Sequence, residues 1–391
     1  MKTIAVFFGG RSAEHDVSIV TALASIIKPL ELSREYQVEP VYIAKDGSWY
    51  WDQRLKDIAL FRTGDIEDFI RKAPKAHILF DNGLTLVKSS QFAGRKAYKH
   101  IDVAFTAMHG THGEDGELMG IFEMANVPYV GCGVSASAIA MDKVLSKQVA
   151  ESAGIASTPW TWFTSSELSQ NHSAVVKRIN TMKYPLFVKP ARLGSSIGIT
   201  KVDSPDNLVN ALEVAAHYDD KVIVEEAVPN LIEVTLPIIG NEDPEPAYLE
   251  QPLLDANDFF DFETKYMGQG KKMGGKKMSG GAKQGAQGYS KIPAEVSQKV
   301  YDEAVQMGLA VYKALGCEGI ARIDMLINSK TNAVLFNEVN PLPGSLYAHN
   351  WRAKGYSAVD LVTRLIELAI ARHAKVAKKQ TAFATNFLKQ F

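Results

Sequence analysis

Near the carboxyl end of the chain, three oxygen-bearing side chains and one arginine are spaced so that they could act together. Glu338 and Asn340 lie two residues apart, so both project from one face of a strand, and Asp324 precedes them in a neighbouring stretch. Arg322 lies two residues before Asp324, on the same face. Oxygen ligands suit a hard cation such as Mg²⁺, and an adjacent arginine suits polyphosphate bound with it. The alternative is the solvent-exposed face of a hairpin.

Two short strands must position these groups. Residues 321–327 and 333–339 are apolar with polar interruptions, and the polar residues 328–332 predict a turn between them. The Pro-Leu-Pro-Gly run at 341–344 ends the second strand. It leaves the backbone amide of Gly344 facing the carboxylates, where an oxyanion could be held. This run favours a site over an exposed hairpin face.

The first elements of the chain place an acid above a crevice. Residues 2–8 predict a buried parallel strand, a glycine turn follows, and residues 16–30 predict a helix with apolar periodicity. This order begins a doubly wound α/β domain, in which ligands collect at the carboxyl ends of the strands. Glu14 then lies at a helix N-terminus, either as a ligand-binding acid or as a helix cap.

A second loop of the same domain carries several polar groups. Residues 101–108 predict a buried strand, residues 118–125 predict a helix, and the loop between them combines His, Glu and Asp with glycines. This composition favours a loop that faces a substrate. A metal site at His109 and His112 lacks both the spacing of a zinc motif and a third His or Cys. The alternative is a polar loop before a capped helix.

The middle of the chain contains a glycine- and serine-rich flap. Residues 184–188 and 199–202 predict two strands, and the loop between them begins with Lys189. The amides of such a loop can cradle phosphate oxygens. It differs from a P-loop because no helix follows and the lysine precedes the glycines; the alternative is an ordinary turn. Before the flap, residues 135–153 predict one helix that carries Lys143.

A segment of low complexity follows further strands at 221–226 and 232–239. Residues 268–288 contain Gly, Lys, Gln and Met but no aromatic or acidic residue, so they cannot bury a core. Their position after an aromatic and acidic stretch favours a lid over a linker. Their lysines lack the interleaved aromatic residues of a nucleic-acid-binding surface. Two helices close the chain, at 294–314 and 359–378.

The composition is that of an ordinary soluble protein. The 391 residues are 46% hydrophobic and 22% charged, which is enough for two or three domains. A net charge of −1 implies no general attraction to nucleic acid or membrane. Cys132 and Cys317 make neither a disulfide framework nor a zinc site, and they fit a reducing compartment. No apolar run resembles a signal sequence or a membrane span, so a cytoplasmic protein is expected.

Taken together, these stretches resemble the D-alanine–D-alanine ligases of the ATP-grasp superfamily. The motifs follow the family's order, and the ordered set is very specific although each motif is modest alone. The resemblance implies an α/β (α+β) chain with a three-domain ATP-grasp fold. An N-terminal doubly wound parallel-sheet domain is expected at 1–131, a central domain at 132–224, and a C-terminal domain at 225–391 with a lid loop at 255–290. The matching segments are FFGGRSAEHDVS, MHGTHGEDGELMGIFEMANVPYVGCGV, AMDK, PLFVKPARLGSSIGITKV, VIVEEAV, FETKY, ARIDML and NEVNPLPG.

The resemblance also implies a reaction. ATP phosphorylates the carboxylate of a first D-alanine, and the amine of a second D-alanine attacks the acylphosphate and releases phosphate. The product, D-alanyl-D-alanine, serves the synthesis of peptidoglycan precursors. Positioning and charge neutralisation would supply most of the catalysis. The family further implies Mg²⁺ or Mn²⁺, with two ions in the site, and a homodimer.

Roles for individual residues follow from the resemblance alone. The metal ligands would be Asp324, Glu338 and Asn340. The ATP-binding residues would be Lys143, Lys189, Ser196, Glu225, Val228 and Glu233. The substrate-binding residues would be His109 for the first D-alanine, and Lys265 and Ser345 for the second. The catalytic residues would be Glu14, Ser195, Tyr266, Arg322 and Gly344.

Within the catalytic group, each residue has an implied partner. Arg322 would stabilise the transferring phosphate, and the Gly344 amide would bind the oxyanion. Glu14 would bind the ammonium of the first substrate. Tyr266 would hydrogen-bond to Ser195, and Ser195 to Glu14.

Two departures from the family concern the second substrate. The segment after Gly344 is shorter than usual, so the serine that holds the second carboxylate aligns with Ser345 if a gap follows Gly344, and with His349 otherwise. The lid loop is longer and richer in glycine and lysine. Tyr266 stands where ester-forming ligases tend to carry histidine, which favours D-alanine over D-lactate as acceptor. Another amino acid as acceptor stays an alternative. A nucleotide-binding regulator without turnover is the remaining alternative, and the complete set of phosphate and metal groups argues against it.

Overall fold

The structure is a computed structural model in which three main sheets carry the chain's helices. Lys265, Tyr266 and nearly all of the predicted lid loop lie outside the described residues. No helix in the described part of the chain is both long and apolar enough to cross a bilayer. The residues that the structure describes are 1–81, 83–89, 96–253, 290–379, 388 and 391.

A five-stranded N-terminal sheet has four parallel strands and one antiparallel edge strand. Side chains alternate along its central strand, as the strand geometry requires. Ile4, Val6 and Phe8 lie in the core on one face, and Ala5 and Phe7 lie in the core on the other. Both faces are therefore covered, and the predicted doubly wound sheet is confirmed. From edge to edge the strands are Trp49–Trp51, Tyr36–Ile43, Lys2–Gly9, Val103–Thr106 and Tyr129–Val130.

Helices supply the cover on each face of the N-terminal sheet. The helix Glu117–Met124 covers one face, where Phe122 packs against Phe7 with ring centroids 4.9 Å apart. On the other face lies the helical segment that follows the first strand, at the position predicted for the helix 16–30. Its three consecutive stretches, of α, π and α geometry, are His15–Val20, Thr21–Ile27 and Lys28–Ser33.

The last long helix, Ala358–Ala377, packs on this same face although it is remote in sequence. Its apolar residues lie in one core with the first strand. The buried guanidinium of Arg372 donates to the backbone carbonyls of Tyr129, at 2.8 Å, and Gly131, at 2.6 Å. The N-terminal sheet is thus completed by the other end of the chain.

Smaller elements surround the N-terminal sheet. One of them is a three-stranded antiparallel sheet, in which residues 76–80 and 84–89 form a hairpin. Its strands are Ala76–Phe80, Leu84–Ser89 and Lys96–Ile101. The short helices before it are Gln53–Lys56, Ile58–Arg62 and Ile66–Lys72.

The link into the central part of the chain is a broken helix. One helix was expected at 135–153, and this prediction is wrong because two helices, Val134–Met141 and Lys143–Ser152, meet at Asp142. The Asp142 carboxylate accepts two backbone amides of the second helix, each at 3.0 Å, and so caps it. The backbone amide of Lys143 donates to the carbonyl of Ala191 at 3.0 Å instead of continuing the first helix.

A four-stranded antiparallel central sheet carries Lys189 and Glu225. Apolar side chains of three helices cover one of its faces. In spatial order the strands are Thr200–Val202, Leu186–Pro190, Lys221–Glu226 and Trp160–Thr164. The helical elements of this part are Ser165–Gln170, His172–Ile179, Pro205–Asn207 and Leu208–Tyr218.

The C-terminal sheet contains the predicted hairpin and is antiparallel throughout. The helix Gln298–Ala314 packs on one face of it, so the other face is left for polar side chains. The chain then enters a 3₁₀ turn, Gly344–Tyr347, and a short helix, Ala348–Ala353. The strands in order are Glu245–Pro246, Leu231–Gly240, Gly319–Asn328 and Val334–Asn340, and a separate pair is formed by Gln251–Pro252 and Ser290–Lys291.

Candidate active site

One face of the C-terminal sheet brings the predicted metal ligands together. Asp324 lies opposite Glu338 in the neighbouring strand, and Arg322 lies opposite Asn340. Directly opposite residues of antiparallel strands project to the same face, so the four side chains form one polar surface. The Arg322 guanidinium donates to both carboxylate oxygens of Asp324, at 2.7 and 2.5 Å. The predicted grouping of these four residues is therefore present.

Asn340 connects this surface to a loop of the N-terminal sheet. In the amide orientation that satisfies both neighbours, its nitrogen donates to Glu114 at 2.9 Å and its oxygen accepts from Arg322 at 3.2 Å. Glu114 is buried and also accepts from the backbone amide of Gly110 at 2.6 Å. The loop predicted to face a substrate thus reaches the metal-ligand surface. Asp324, Glu338 and Asn340 would each bind a metal through a side-chain oxygen atom. Oxygen ligands fit a hard divalent cation.

Lys143 places a cation between the acids and the flap. Its Nζ atom lies 3.3 Å from a carboxylate oxygen of Glu338 and donates to the backbone carbonyl of Leu193 at 2.8 Å. Lys143 is the first residue of the helix that Asp142 caps, so the break in the predicted helix fixes the position of this lysine.

Glu225 lies at the centre of a buried ionic network. Its carboxylate oxygens are 2.7 Å from Nζ of Lys147 and 2.5 Å from Nζ of Lys189. Burial alone would raise the pKa of Glu225, but the two lysines hold it far below its ordinary value. Burial also opposes the charge of Lys189, yet the attraction of Glu225 leaves the pKa of that lysine raised. The structure therefore joins a residue predicted at the ATP phosphates to one predicted at adenine.

Lys147 is a residue of this network that the sequence analysis missed. Its side chain is 1% exposed, and burial lowers its pKa despite the attraction of Glu225. The available signal was its spacing, because Lys147 follows Lys143 by four residues and so shares one face of the helix.

The other residues predicted to bind ATP lie on neighbouring segments of the chain. Glu233, on the strand Leu231–Gly240, contributes an electrostatic effect that raises the pKa of Lys189. Val228 follows the strand Lys221–Glu226 and is half-buried. Ser196 lies in the flap with a positive φ of 58°.

The flap reaches the N-terminal sheet through Ser195, whose hydroxyl donates to the Glu14 carboxylate. Glu14 makes no side-chain hydrogen bond to cap the helix that follows, which argues against the capping interpretation. Two glycines allow this close approach: a Cβ at Gly110 would lie 2.8 Å from Oε2 of Glu14, and one at Gly194 would lie 3.1 Å away. The residues that line a cavity of about 20 Å³ between the loops include Ser12, Glu14, Gly110 and Gly194.

Thr21 connects two residues predicted to bind the substrates. Its hydroxyl oxygen lies 2.9 Å from Nε2 of His109 and accepts from the backbone amide of Ser345 at 3.0 Å. Burial would lower the pKa of His109, but the carboxylates of Glu114 and Glu14 outweigh it and leave that pKa raised. His109 is therefore suited to carry a positive charge towards a substrate carboxylate.

His112 has different partners from His109. Its ring contacts Glu117, and its backbone amide donates to Asp115 at 2.6 Å. These three side chains form a separate cluster with ligand atoms within 4.8 Å of one another. The weak indication of a metal site shared by His109 and His112 finds no support in these contacts.

The turn after Gly344 holds an uncommon backbone conformation. Ser345, Leu346 and Tyr347 all have left-handed φ angles, of 51°, 54° and 51°. Three such residues in succession are costly for side chains with a Cβ, and strain of this kind concentrates at functional sites. Gly344 begins the turn, and the Pro-Leu-Pro run at 341–343 separates it from the strand that carries Glu338.

The fold and the placement of these groups define an ATP-grasp enzyme. Two solved structures are similar over nearly the whole chain. The VanG D-Ala:D-Ser ligase from Enterococcus faecalis has a TM-score of 0.76 and 29% identity, and covers 94% of this chain and 99% of its own. The D-alanine–D-alanine ligase from Coxiella burnetii has a TM-score of 0.76 and 27% identity, and covers 97% and 98%.

Family models identify the family itself. The one described as the D-ala D-ala ligase N-terminus matches residues 3–132, and the one described as the C-terminus matches residues 149–367. The D-alanine–D-alanine ligase of Chlorobaculum tepidum is 37% identical over 391 aligned positions, which cover 95% of this chain and 98% of that protein. That of Acetivibrio thermocellus is 36% identical over 387, covering 95% and 96%. The chain belongs to the D-alanine–D-alanine ligase family, and it is an ADP-forming ligase that uses ATP and a divalent metal.

Proposed function

We propose that this enzyme joins two molecules of D-alanine, at the expense of ATP, to form D-alanyl-D-alanine for peptidoglycan precursors. The names of its relatives support this substrate. The single observation that carries the proposal is the contact of Lys143 with Glu338 beside the pair of Arg322 and Asp324. Cations for a polyphosphate and oxygen ligands for a metal are gathered at one surface, which is what phosphoryl transfer to a carboxylate requires.

The metal proposed for this surface is Mg²⁺ or Mn²⁺, with two ions. Asp324, Glu338 and Asn340 are the residues that would hold it, since their donors are oxygen atoms. When bound, the metal would neutralise charge on the phosphates of ATP.

The first half-reaction is assigned to residues from three parts of the chain. Glu14 would bind the ammonium of the first D-alanine, and His109, whose pKa is raised by neighbouring carboxylates, would face its carboxylate. Lys143 and Lys189 would bind the ATP phosphates, and Arg322 would stabilise the phosphoryl group in transfer. Glu225, Val228 and Glu233 would hold adenine and ribose, with Ser196 in the closing flap.

The second half-reaction is assigned to the strained turn and to the lid. The Gly344 amide would bind the oxyanion, and Ser345 would hold the carboxylate of the second D-alanine together with Lys265. Tyr266 would hydrogen-bond to Ser195. We further propose a cytoplasmic homodimer whose protomers divide into domains at 1–131, 132–224 and 225–391.

The first test measures phosphate release from ATP with D-alanine present, followed by mass spectrometry of the product. Because a similar structure is a D-Ala:D-Ser ligase, the acceptor assay offers D-alanine, D-serine and D-lactate together near neutral pH. We expect D-alanyl-D-alanine as the dominant product. A dominant mixed dipeptide or ester would assign another acceptor, and absence of phosphate release would overturn the proposed function.

A further inference from the structure

His349, the alternative to Ser345 in the alignment, forms an ordered pair with Glu250, a residue that the sequence analysis did not predict. Nε2 of His349 lies 3.0 and 2.9 Å from the two carboxylate oxygens of Glu250. Asn350 donates to Glu250 at 3.0 Å, and the Glu250 side chain is 5% exposed. Within the described part of the chain, the other ring nitrogen of His349, Nδ1, is buried and has no hydrogen-bond partner. Buried polar atoms are nearly always paired, so this nitrogen requires an explanation.

The contacts of the pair select which nitrogen of the imidazole ring donates to Glu250. Burial would raise the pKa of Glu250, but the hydrogen bonds from His349 and Asn350 outweigh it and leave that pKa lowered. An ionised carboxylate only accepts hydrogen bonds, so Nε2 carries the hydrogen and donates it. Whenever the ring is neutral, Nδ1 therefore carries the lone pair that can accept a proton. A base whose far nitrogen is held by a carboxylate is the arrangement used to activate nucleophiles.

The pair shares a sheet face with the metal ligands. Thr235 lies opposite Asp324 in the C-terminal sheet, and on its other side it bridges to Glu250. Opposite residues of antiparallel neighbours project to one face, so Glu250 and Asp324 belong to the same row with Thr235 between them. The pair is therefore placed two strands from the proposed phosphate surface.

Tyr347 connects the histidine to the other side of the site. Its ring centroid is 4.9 Å from that of His349 and 5.1 Å from the guanidinium carbon of Arg322. Ser345, proposed to hold the acceptor's carboxylate, precedes His349 by four residues. The acceptor would thus be held by the same short segment that carries Nδ1.

We propose that His349 is the general base for the acceptor in the second half-reaction and that Glu250 is its positioning residue. This inference rests on the proposed function and extends it to a group that the family assignment leaves without a proton-transfer role. Nδ1 accepts one proton from the acceptor's ammonium. The lone pair of the amine forms the C–N bond at the acylphosphate carbon, and the C–O bond to phosphate breaks. The second proton leaves with hydrogen phosphate, and His349 returns its proton to water.

The charged and titratable groups around the ring are consistent with this role. Glu250 faces Nε2 from the neighbouring segment, and Tyr347 faces the ring from the same turn. The guanidinium of Arg322 lies over the ring of Tyr347 and donates a hydrogen bond to Asp324. The carboxylate stabilises the imidazolium that forms when the proton is accepted.

The test compares His349→Ala with His172→Ala, which removes an exposed histidine far from these contacts. Both are assayed at saturating ATP and D-alanine, where kcat reports the rate rather than substrate binding. We expect kcat of His349→Ala to fall by about a hundredfold or more, the usual contribution of a general base. We expect His172→Ala to match the wild type. Added imidazole should partly restore His349→Ala, which would also show that this variant is folded.

The pH profile separates a base from a carboxylate-binding cation. A base requires the neutral ring, so wild-type kcat should fall as the pH is lowered, and this acid limb should be missing in His349→Ala. In Glu250→Gln the imidazolium loses its counter-charge, so the limb should move to lower pH. This shift is expected only from a positioning role and remains measurable if His349→Ala does not fold.

Three outcomes would overturn the inference in an enzyme that still makes the dipeptide. The first is an unchanged kcat in His349→Ala. The second is an unmoved acid limb in Glu250→Gln. The third is a rise in the second-substrate KM of His349→Ala with activity lost as the pH rises, which would make His349 the carboxylate ligand of the ungapped alignment. If the wild type makes no dipeptide, it is the proposed function that fails.

Discussion

Replacing Lys147 by methionine removes one of the two cations that hold Glu225 while keeping most of the side-chain volume. The Nζ atom lies 2.7 Å from the carboxylate, and the two side chains are 1% and 4% exposed. Breaking one partner of a buried ion pair costs about 3–5 kcal/mol, because the remaining charge stays buried. Lys189 still lies 2.5 Å from the same carboxylate, so we expect the free energy of unfolding to fall by about 3 kcal/mol, the lower end of that range.

The same substitution should weaken nucleotide binding. With Lys147 present, Lys189 can leave Glu225 for a phosphate without stranding a buried carboxylate. In Lys147→Met that exchange would leave Glu225 without a cation. One charge-assisted hydrogen bond corresponds to about 1.5–3 kcal/mol, so KM for ATP should rise by roughly ten- to a hundredfold.

Urea unfolding and ATP saturation curves measure the two effects. The matched control is Lys201→Met, because Lys201 pairs with Asp203 at 3.0 Å with side chains 44% and 73% exposed. An exposed pair of this kind contributes about 1 kcal/mol or less. Adding Glu225→Gln to Lys147→Met should recover part of the lost stability, since it removes the stranded charge. A loss of stability in Lys147→Met no larger than in Lys201→Met would refute the argument.

Three further predictions concern the substrates and the metal surface. Glu338→Gln removes the charge that would face the metal but keeps the shape of the side chain. Opposite charges near 4 Å are worth about 4 kcal/mol at an effective dielectric of about 20. Steady-state turnover should therefore fall by about a hundredfold or more, while the midpoint of urea unfolding stays unchanged. Gly110→Ala would place a Cβ 2.5 Å from Ser12 Oγ and 2.8 Å from Glu14 Oε2 at a φ of 69°, so initial-rate kinetics should show a raised KM for the first D-alanine. Since the pKa of His109 is raised, isothermal titration should show first-substrate binding weakening as the pH rises through that pKa, and His109→Gln should abolish this dependence.

Local patterns predicted the sheets because each strand is governed by its own alternation of side chains. The first strand is buried on both faces, which gives the continuous apolar run from which it was predicted. The break at Asp142 could not be predicted in this way, because the amide of Lys143 is paired with Ala191, and that contact exists only after the flap has folded against it. Apolar periodicity continues across the break, so periodicity alone favoured one helix.

The residues of the candidate site likewise divide into those that a local pattern predicts and those that depend on contacts remote in sequence. The hairpin with Asp324 and Glu338 could be predicted because a strand period of two places its polar residues on one face. Lys147 was missed because a lysine in a helix is normally exposed, and its partner Glu225 lies on a strand of the central sheet, remote in sequence. The pair of His349 and Glu250 spans 99 residues, so no local pattern indicates it. Most assignments to ATP or D-alanine came from the family resemblance, because a sequence pattern specifies a side chain but not the molecule that it binds.

The helix Ala358–Ala377 has a consequence for the biosynthesis of the chain. It covers one face of the N-terminal sheet, and its Arg372 binds the carbonyls at Tyr129 and Gly131. During translation, the sheet's strands emerge more than two hundred residues before this helix, so the part of the apolar face that the helical segment at 15–33 does not cover stays exposed in the meantime. A fragment ending near residue 131 should therefore aggregate or bind chaperones, whereas adding the helix as a separate peptide should rescue it. The final folding step of the first sheet must wait for a helix that is made more than two hundred residues later.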